Sequence, residues 1–470
     1  MKSIYETQID ALPCDNPIPI DYSEIPSFEK EDYDLRIQKL RSLMDEHGYD
    51  FLVVYGDREH FTHIHYLTGF DPRFEEALLV LGQHSKPLLL VGNEGYTYSS
   101  LIKTDVQIEL CQIFSLPGQT IGSKTTLLEH FKNIGFKSDS KIGVIGWKPY
   151  PSHLLKLDNK DTFDVPHYII ESLCQYTPIH NLKNATDLFS DVNYGLKHQL
   201  TAKEIIHFEL SATKASRAVY QVLKNLRNGI TEIEASSYFA LDGDPLSTHP
   251  ILSFGDANVS LGLASPSYHQ KLETGDFVSV GIGLRGAMVH RASLYVKNKN
   301  EIPESKQHYV DKFIKPYYAS IVKWYEAIKI GTTFGSIYDL VDQTIGIKAF
   351  GITLNPGHLI HTDEWSQTPF NPNDTNKIKS GQAIQCDYTV TFQNPYLTNH
   401  VEDGIVVADQ QLIDEIRKLA PGSYKRIERR REFMKNVLNI DLADEVLPMS
   451  DLTGVCFPYL GDLNTILTAK

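Results

Sequence analysis

A chain of 470 residues, 41% hydrophobic and 22% charged, has the size and composition of a globular protein of roughly two to four domains, which excludes a lone small module, a collagen-like repeat and a disordered chain. Lys and Arg number 45 against 59 Asp and Glu, a net charge of −14, so nucleic acid and anionic lipid are repelled at long range. The five scattered cysteines contain no CxxC pair and read as free thiols of a reducing cytoplasm, and no apolar run is long enough for a secretory core or a membrane span.

In chain order, a Pro-punctuated arm (Pro13, Pro17, Pro19, Pro26) leads to residues 31–48, where Leu35, Ile37, Leu40, Leu43 and Met44 recur at nearly helical spacing and Gly48 is a stop signal. Phe51–Tyr55, Ala77–Leu81, Leu88–Val91 and Ile142–Ile145 are short apolar runs with the bounds of buried strands, so an α/β domain extends to about residue 185. Residues 196–228 form a long helical stretch closed by Gly229, and Thr231–Glu234 starts another helix. The pattern then has period two over 250–300, returns to helix over 308–346 and breaks into short strands over 350–408. Lys425–Lys435 is basic, but Glu428 and Glu432 interrupt it and its spacing suits a solvated helix. The apolar tail Leu447–Leu467 is expected to pack on the body or on a second chain.

One constellation could carry chemistry. Asp276–Gly283 and Ala287–Val296 read as a hairpin; a two-residue loop at Leu284–Arg285 would pair Gly281 with Met288 and Ser279 with His290, placing all four on one face. Downstream, Asn355–Trp365 (NPGHLIHTDEW) carries His358, His361 and Glu364, and Asp387 and Glu402 follow in apolar segments. His290, His358, Asp387 and Glu402 make a mixed N/O set suited to zinc, manganese or iron, although no pair has diagnostic spacing and a hydrogen-bonded polar core would use the same residues.

The chain resembles the creatinase, prolidase and aminopeptidase P superfamily over nearly its whole length. The resemblance rests on Arg36–Leu43, on Tyr49–Phe70 with its Tyr66-Leu67-Thr68-Gly69-Phe70 signature, on Lys203-Glu204, Gly229-Ile230-Thr231-Glu232, Gly275-Asp276, Gly357-His358, Gly381 and Val401-Glu402-Asp403. It implies an α/β (α+β) architecture: a creatinase-like N-terminal domain over 1–190, a pita-bread domain over 191–415, and a C-terminal helix and tail over 416–470 packing on the body. It also implies a homodimer and a small-molecule or short-peptide substrate. Active peptidases of this superfamily hold two metal ions with two Asp, one His and two Glu. Here the first Asp corresponds to Gly281, the bridging Asp to His290 and the first Glu to Asp387, while His358 and Glu402 are retained.

The resemblance therefore implies no two-metal cluster, and either no cofactor or one divalent ion (Mn, Zn or Fe) on His290, His358, Asp387 and Glu402. His358, His361, Glu364 and Glu402 are the candidate acid and base groups. The usual substrate-binding His falls near Ala264, with His269 close by, and the family's other site His falls on Trp365; Arg285 or Arg291 could hold a substrate carboxylate. Three readings follow: a divergent Xaa-Pro aminopeptidase or prolidase relative that is a catalytically silent pseudo-peptidase, a single-metal hydrolase, or a metal-free creatinase-like hydrolase of a small carbon–nitrogen compound.

Overall fold

The computed structural model describes residues 2–122 and 125–470. The chain divides into two compact units, Ser27–Lys197 and the arm up to Pro26 together with His198–Lys470. The arm, expected with the first domain, belongs to the second unit because its strand β1 (Ile4–Gln8) pairs antiparallel with the last strand of the chain, β16 (Thr465–Ala469).

The Ser27–Lys197 unit opens with α1 (Lys30–His47), whose capping box joins Glu29 and Asp32 and whose stop is Gly48 at φ +71°, a left-handed position that disfavours any side chain. Ile37, Leu40, Leu43 and Met44 are buried as their spacing predicts, but Leu35 is 47% exposed; Arg36 takes the inward position, donating to the Tyr66 carbonyl at 2.8 Å. The strands β2 (Phe51–Gly56), β3 (Ala77–Gly82), β4 (Leu88–Val91), β5 (Gln107–Leu110), β6 (Ile142–Ile145) and β7 (Leu182–Asn184) form one mixed sheet in the order β5-β4-β3-β2-β6-β7. In β2, Leu52 and Val54 enter one hydrophobic cluster while Val53 and Tyr55 enter another. Both faces are therefore covered, which is why these strands read as continuous apolar runs.

In the other unit, α2 (Ala202–Lys224) begins at a Thr201–Glu204 capping box and buries a broad face. A second sheet holds β8 (Ile251–Phe254), β9 (Phe277–Leu284), β10 (Ala287–Leu294), β11 (His358–Leu359), β12 (Gln382–Cys386) and β14 (Tyr396–Val407) in the order β11-β12-β14-β10-β9-β8. The strands β13 (Val390–Gln393) and β15 (Val446–Pro448) also pair with β14. The β9–β10 turn is Arg285-Gly286 and not Leu284-Arg285, because Gly286 at φ +86° supplies the left-handed residue such a turn needs. The register moves by one pair on each side: Gly281 faces His290 and Ser279 faces Ala292. A shift of two residues preserves facing, so Ser279, Gly281, Met288 and His290 still share one face.

Two helices follow, α3 (Gln410–Leu419) and α4 (Pro421–Asn436). The basic stretch in α4 is not a solvated face: Arg426 and Arg430 are buried and bind Glu209 of α2, and Arg430 also binds Asp451. Paired guanidinium groups can be buried where unpaired lysines cannot, which the sequence spacing did not reveal. The tail is buried from Val446 to Leu460, and β15 and β16 tie it to the body. No helix among the described residues is long and apolar enough to cross a membrane.

Candidate functional site

Four neighbouring strands build the site. The Cα pairings set Ser253 opposite Ser279, Ser279 opposite Ala292 and Ala292 opposite His400, so these residues form one rung across β8, β9, β10 and β14. The next rung on the same face is Ile251, Gly281, His290 and Glu402. The small residues Gly281 and Ala292 leave room for the His290 ring to lie diagonally between the rungs. A Cβ on Gly281 would come within 2.8 Å of His290 Cδ2.

His290 meets Ser279 on one side, Nε2 to Oγ 2.6 Å, and His400 on the other, Nδ1 to Nδ1 2.6 Å. His400 Nε2 lies 2.7 Å from Asp387 Oδ1, and Asp387 Oδ2 lies 3.5 Å from His358 Nε2. His358 Nε2 is also 3.2 Å from Glu364 Oε1, and the His358 ring stacks on Trp365 at 4.1 Å. Gln385 donates to Glu402 Oε1 at 3.2 Å and to the Met288 carbonyl at 2.9 Å.

Burial and charge set the protonation of this cluster. Burial, with the repulsion that charges on both His290 and His400 would feel, pushes His290 well below the usual imidazole range. Burial would also lower His358, but the Glu364 and Asp387 carboxylates outweigh it and raise it to about 10. Burial opposes ionisation of Asp387, yet hydrogen bonds to His358 and His400 hold it below the ordinary carboxylate range. Glu402 is pushed well above its usual value by burial and by the neighbouring Asp387 and Glu364.

The candidates named from the sequence divide accordingly. His290, His358, Glu364, Asp387 and Glu402 converge, and Trp365 joins them as a packing surface for His358. His361 faces Glu204 at 3.7 Å and the edge of Phe208. His269 is exposed, and Arg285 is in the hairpin turn. Arg291 is not available to a substrate carboxylate: its guanidinium donates to Asp403 Oδ2 at 2.6 Å and to the carbonyls of His290, Glu402, Leu452 and Val455. Its strand parity turns it away from the His290 face. Sequence reasoning missed His400, Gln385 and Ser253. The signal for His400 was its place two residues before Glu402 on a strand, which puts both on one face.

The donor set can be tested against a metal. Two groups of three donors lie within 4.8 Å of one another, His290/His400/Glu402 and His358/Glu364/Glu402. In the first, both ring nitrogens of both histidines already have partners. In the second, His358 Nε2 is buried without a well-formed hydrogen bond among the described residues, so this group fits a single divalent ion. Gly281, opposite His290, offers no ligand atom.

Residues 36–148 match the family described as the creatinase/prolidase N-terminal domain. No curated protein matches the sequence. Among solved structures, the fold is similar to a prolidase from Pyrococcus horikoshii OT3, with a TM-score of 0.60 and 17% identity over 80% of this chain and 95% of that one. An Xaa-Pro dipeptidase from Bacillus anthracis gives a TM-score of 0.59 and 16% identity over 81% and 96%. An X-Pro aminopeptidase from Thermotoga maritima MSB8 gives 0.57 and 13% over 80% and 95%. Residues 36–148 are thus a creatinase/prolidase N-terminal domain, and the fold of the chain is that of the solved prolidases and X-Pro aminopeptidase.

Proposed function

We propose that the protein is a divergent relative of the Xaa-Pro peptidases that hydrolyses a carbon–nitrogen bond of a short peptide or small amide without a paired-metal centre. The observation that carries this reading is His290. It stands where the resemblance puts a bridging carboxylate, and both of its ring nitrogens are engaged, by Ser279 and by His400. The groups left to work are acids and bases. His358, held as the imidazolium between Glu364 and Asp387, donates a hydrogen bond to the scissile amide. Glu364, with its side chain 19% accessible, is the group able to meet water. A homodimer in a reducing cytoplasm accompanies this reading.

A second reading is favoured by the donors of His358, Glu364 and Glu402 lying within 4.8 Å of one another: one divalent ion held by these three. Bound there, such an ion would polarise a carbonyl or a water.

Elemental analysis of chelator-treated protein, followed by hydrolysis assays on Xaa-Pro dipeptides, small amides and amidines, separates the two. The proposal expects turnover that survives chelation and falls at least about 100-fold in His358→Ala. Turnover that returns with one equivalent of Mn, Zn or Fe supports the second reading. Two tightly bound ions per chain, or no turnover of any substrate in either state, overturns the proposal.

A further inference from the structure

With both imidazoles neutral, the hydrogen-bonded chain Ser279–His290–His400–Asp387 has only one polarity. A carboxylate accepts and does not donate, so His400 Nε2 carries a proton toward Asp387 Oδ1, 2.7 Å away. His400 Nδ1 is then an acceptor, and the contact of 2.6 Å to His290 Nδ1 requires that His290 be the donor. His290 Nε2 is left as a bare lone pair, and it is the atom 2.6 Å from Ser279 Oγ. The carboxylate at one end thus fixes both tautomers and makes the hydroxyl at the other end the donor to an unprotonated imidazole. A serine is activated in this way when its base is oriented by a third group.

A second observation points to a ligand at the same place. Ser253 lies directly across from Ser279 on β8, is 1% exposed, and its hydroxyl has no hydrogen-bond partner among the described residues. Such a buried orphan donor is costly unless something completes it. The rung sets it beside Ser279, so its hydroxyl is available to the oxygen of a carbonyl bound there. Gly281 completes the arrangement, since its missing side chain is the space through which the His290 ring reaches Ser279.

We propose that Ser279 is a nucleophile, with His290 as its base, His400 and Asp387 as positioning residues and Ser253 as an oxyanion donor, and that it accepts the acyl group of a small amide or ester. This rests on the metal-independent reading above and gives it a covalent step. Ser279 Oγ forms a bond to the carbonyl carbon while its proton passes to His290 Nε2. The carbon–nitrogen bond breaks, and the leaving nitrogen takes that proton. Water then attacks the acyl ester, again through His290, releasing the acid and restoring the Ser279 hydroxyl; the sum is one water added across one carbon–nitrogen bond. Ser279 is only 4% exposed, so the acyl ester forms in an enclosed site.

The full-length protein, treated with chelator, is mixed with p-nitrophenyl acetate; released p-nitrophenolate is followed and the protein is digested for peptide mass mapping. The expected result is a burst of up to one equivalent per chain with the acetyl group on Ser279, no burst in Ser279→Ala, and a burst slowed at least about 100-fold in Asp387→Asn, where the relay's polarity is lost. Circular dichroism and Ser279→Cys, which keeps a nucleophile of similar size, guard against a folding defect: a folded Cys variant should acylate at residue 279. Acetylation confined to other residues, or an unchanged burst in Ser279→Ala, overturns the proposal. Chelator-resistant amide hydrolysis that persists in Ser279→Ala removes Ser279 alone and leaves the metal-independent reading standing, whereas loss of all such hydrolysis in the unmodified protein removes both.

Discussion

Two buried polar clusters lie in the same unit, and they are built differently. Around Glu209 every demand is met: Oε1 accepts from Arg426 Nε at 2.9 Å, Arg430 Nη1 at 2.7 Å and Thr213 Oγ1 at 2.7 Å, and Oε2 accepts from Arg426 Nη2 at 2.5 Å. Asp451 closes the network, taking Arg430 at 2.8 Å and Arg217 at 3.0 Å. Around His290 and His358 the chain leaves Ser253 Oγ, Gln385 Oε1 and His358 Nε2 without good partners among the described residues. Saturation marks a group of residues that holds helices together; incomplete saturation marks one prepared for something else to arrive.

The largest effect that would test this contrast is in the saturated cluster. Glu209→Ala strands Arg426 and Arg430 in the interior and should cost about 3–5 kcal/mol, read from urea unfolding. A loss below about 1 kcal/mol would mean that the network contributes little to holding α2 and α4 together. A smaller effect is expected at the site. Gly281→Ala forces a methyl group against a stiff, enclosed ring and should cost about 1–3 kcal/mol, while displacing His290 from Ser279 and removing any acyl-transfer burst. If the variant keeps both its stability and its burst, the diagonal placement of His290 is not the working one.

The smallest effect is in acid. Burial would raise Glu209 and Asp451, but Arg430 and its neighbouring arginines outweigh it and hold both below the ordinary carboxylate range. The unfolded chain therefore takes up these protons at higher pH than the folded one. The stabilisation is present above about pH 4.5 and fades as pH falls toward the depressed folded values. Unfolding midpoints between pH 7 and 3 should drop less steeply for Glu209→Gln than for the unmodified protein, and equal slopes would contradict the assignment.

Much of this architecture was legible because short motifs mark structural necessities. Gly48 stops the first helix where the backbone is left-handed, and Thr231 with Glu234 caps the start of another. The convergence of His290, His358, Asp387 and Glu402 followed from strand parity and from resemblance. Strand parity could not supply the diagonal reach of His290 over Gly281, which depends on a register one pair away from the expected one. Neither did charge patterning reveal that Arg426 and Arg430 are interior, since a helix periodicity says which residues share a face and not which face is covered. Arg291 was misread for the same reason: its role comes from carbonyls far along the chain that no local pattern foretells.

Arg291 also couples distant parts of the polypeptide. One guanidinium gathers the carbonyls of Leu452 and Val455 from the tail and those of His290 and Glu402 from the sheet. The end of the chain is thereby a clamp on the strands that carry the reactive groups. A premature stop codon or a nick after Pro448 would leave every histidine in the sequence intact and still loosen their alignment, so loss of function from such a lesion would look catalytic while its origin was mechanical.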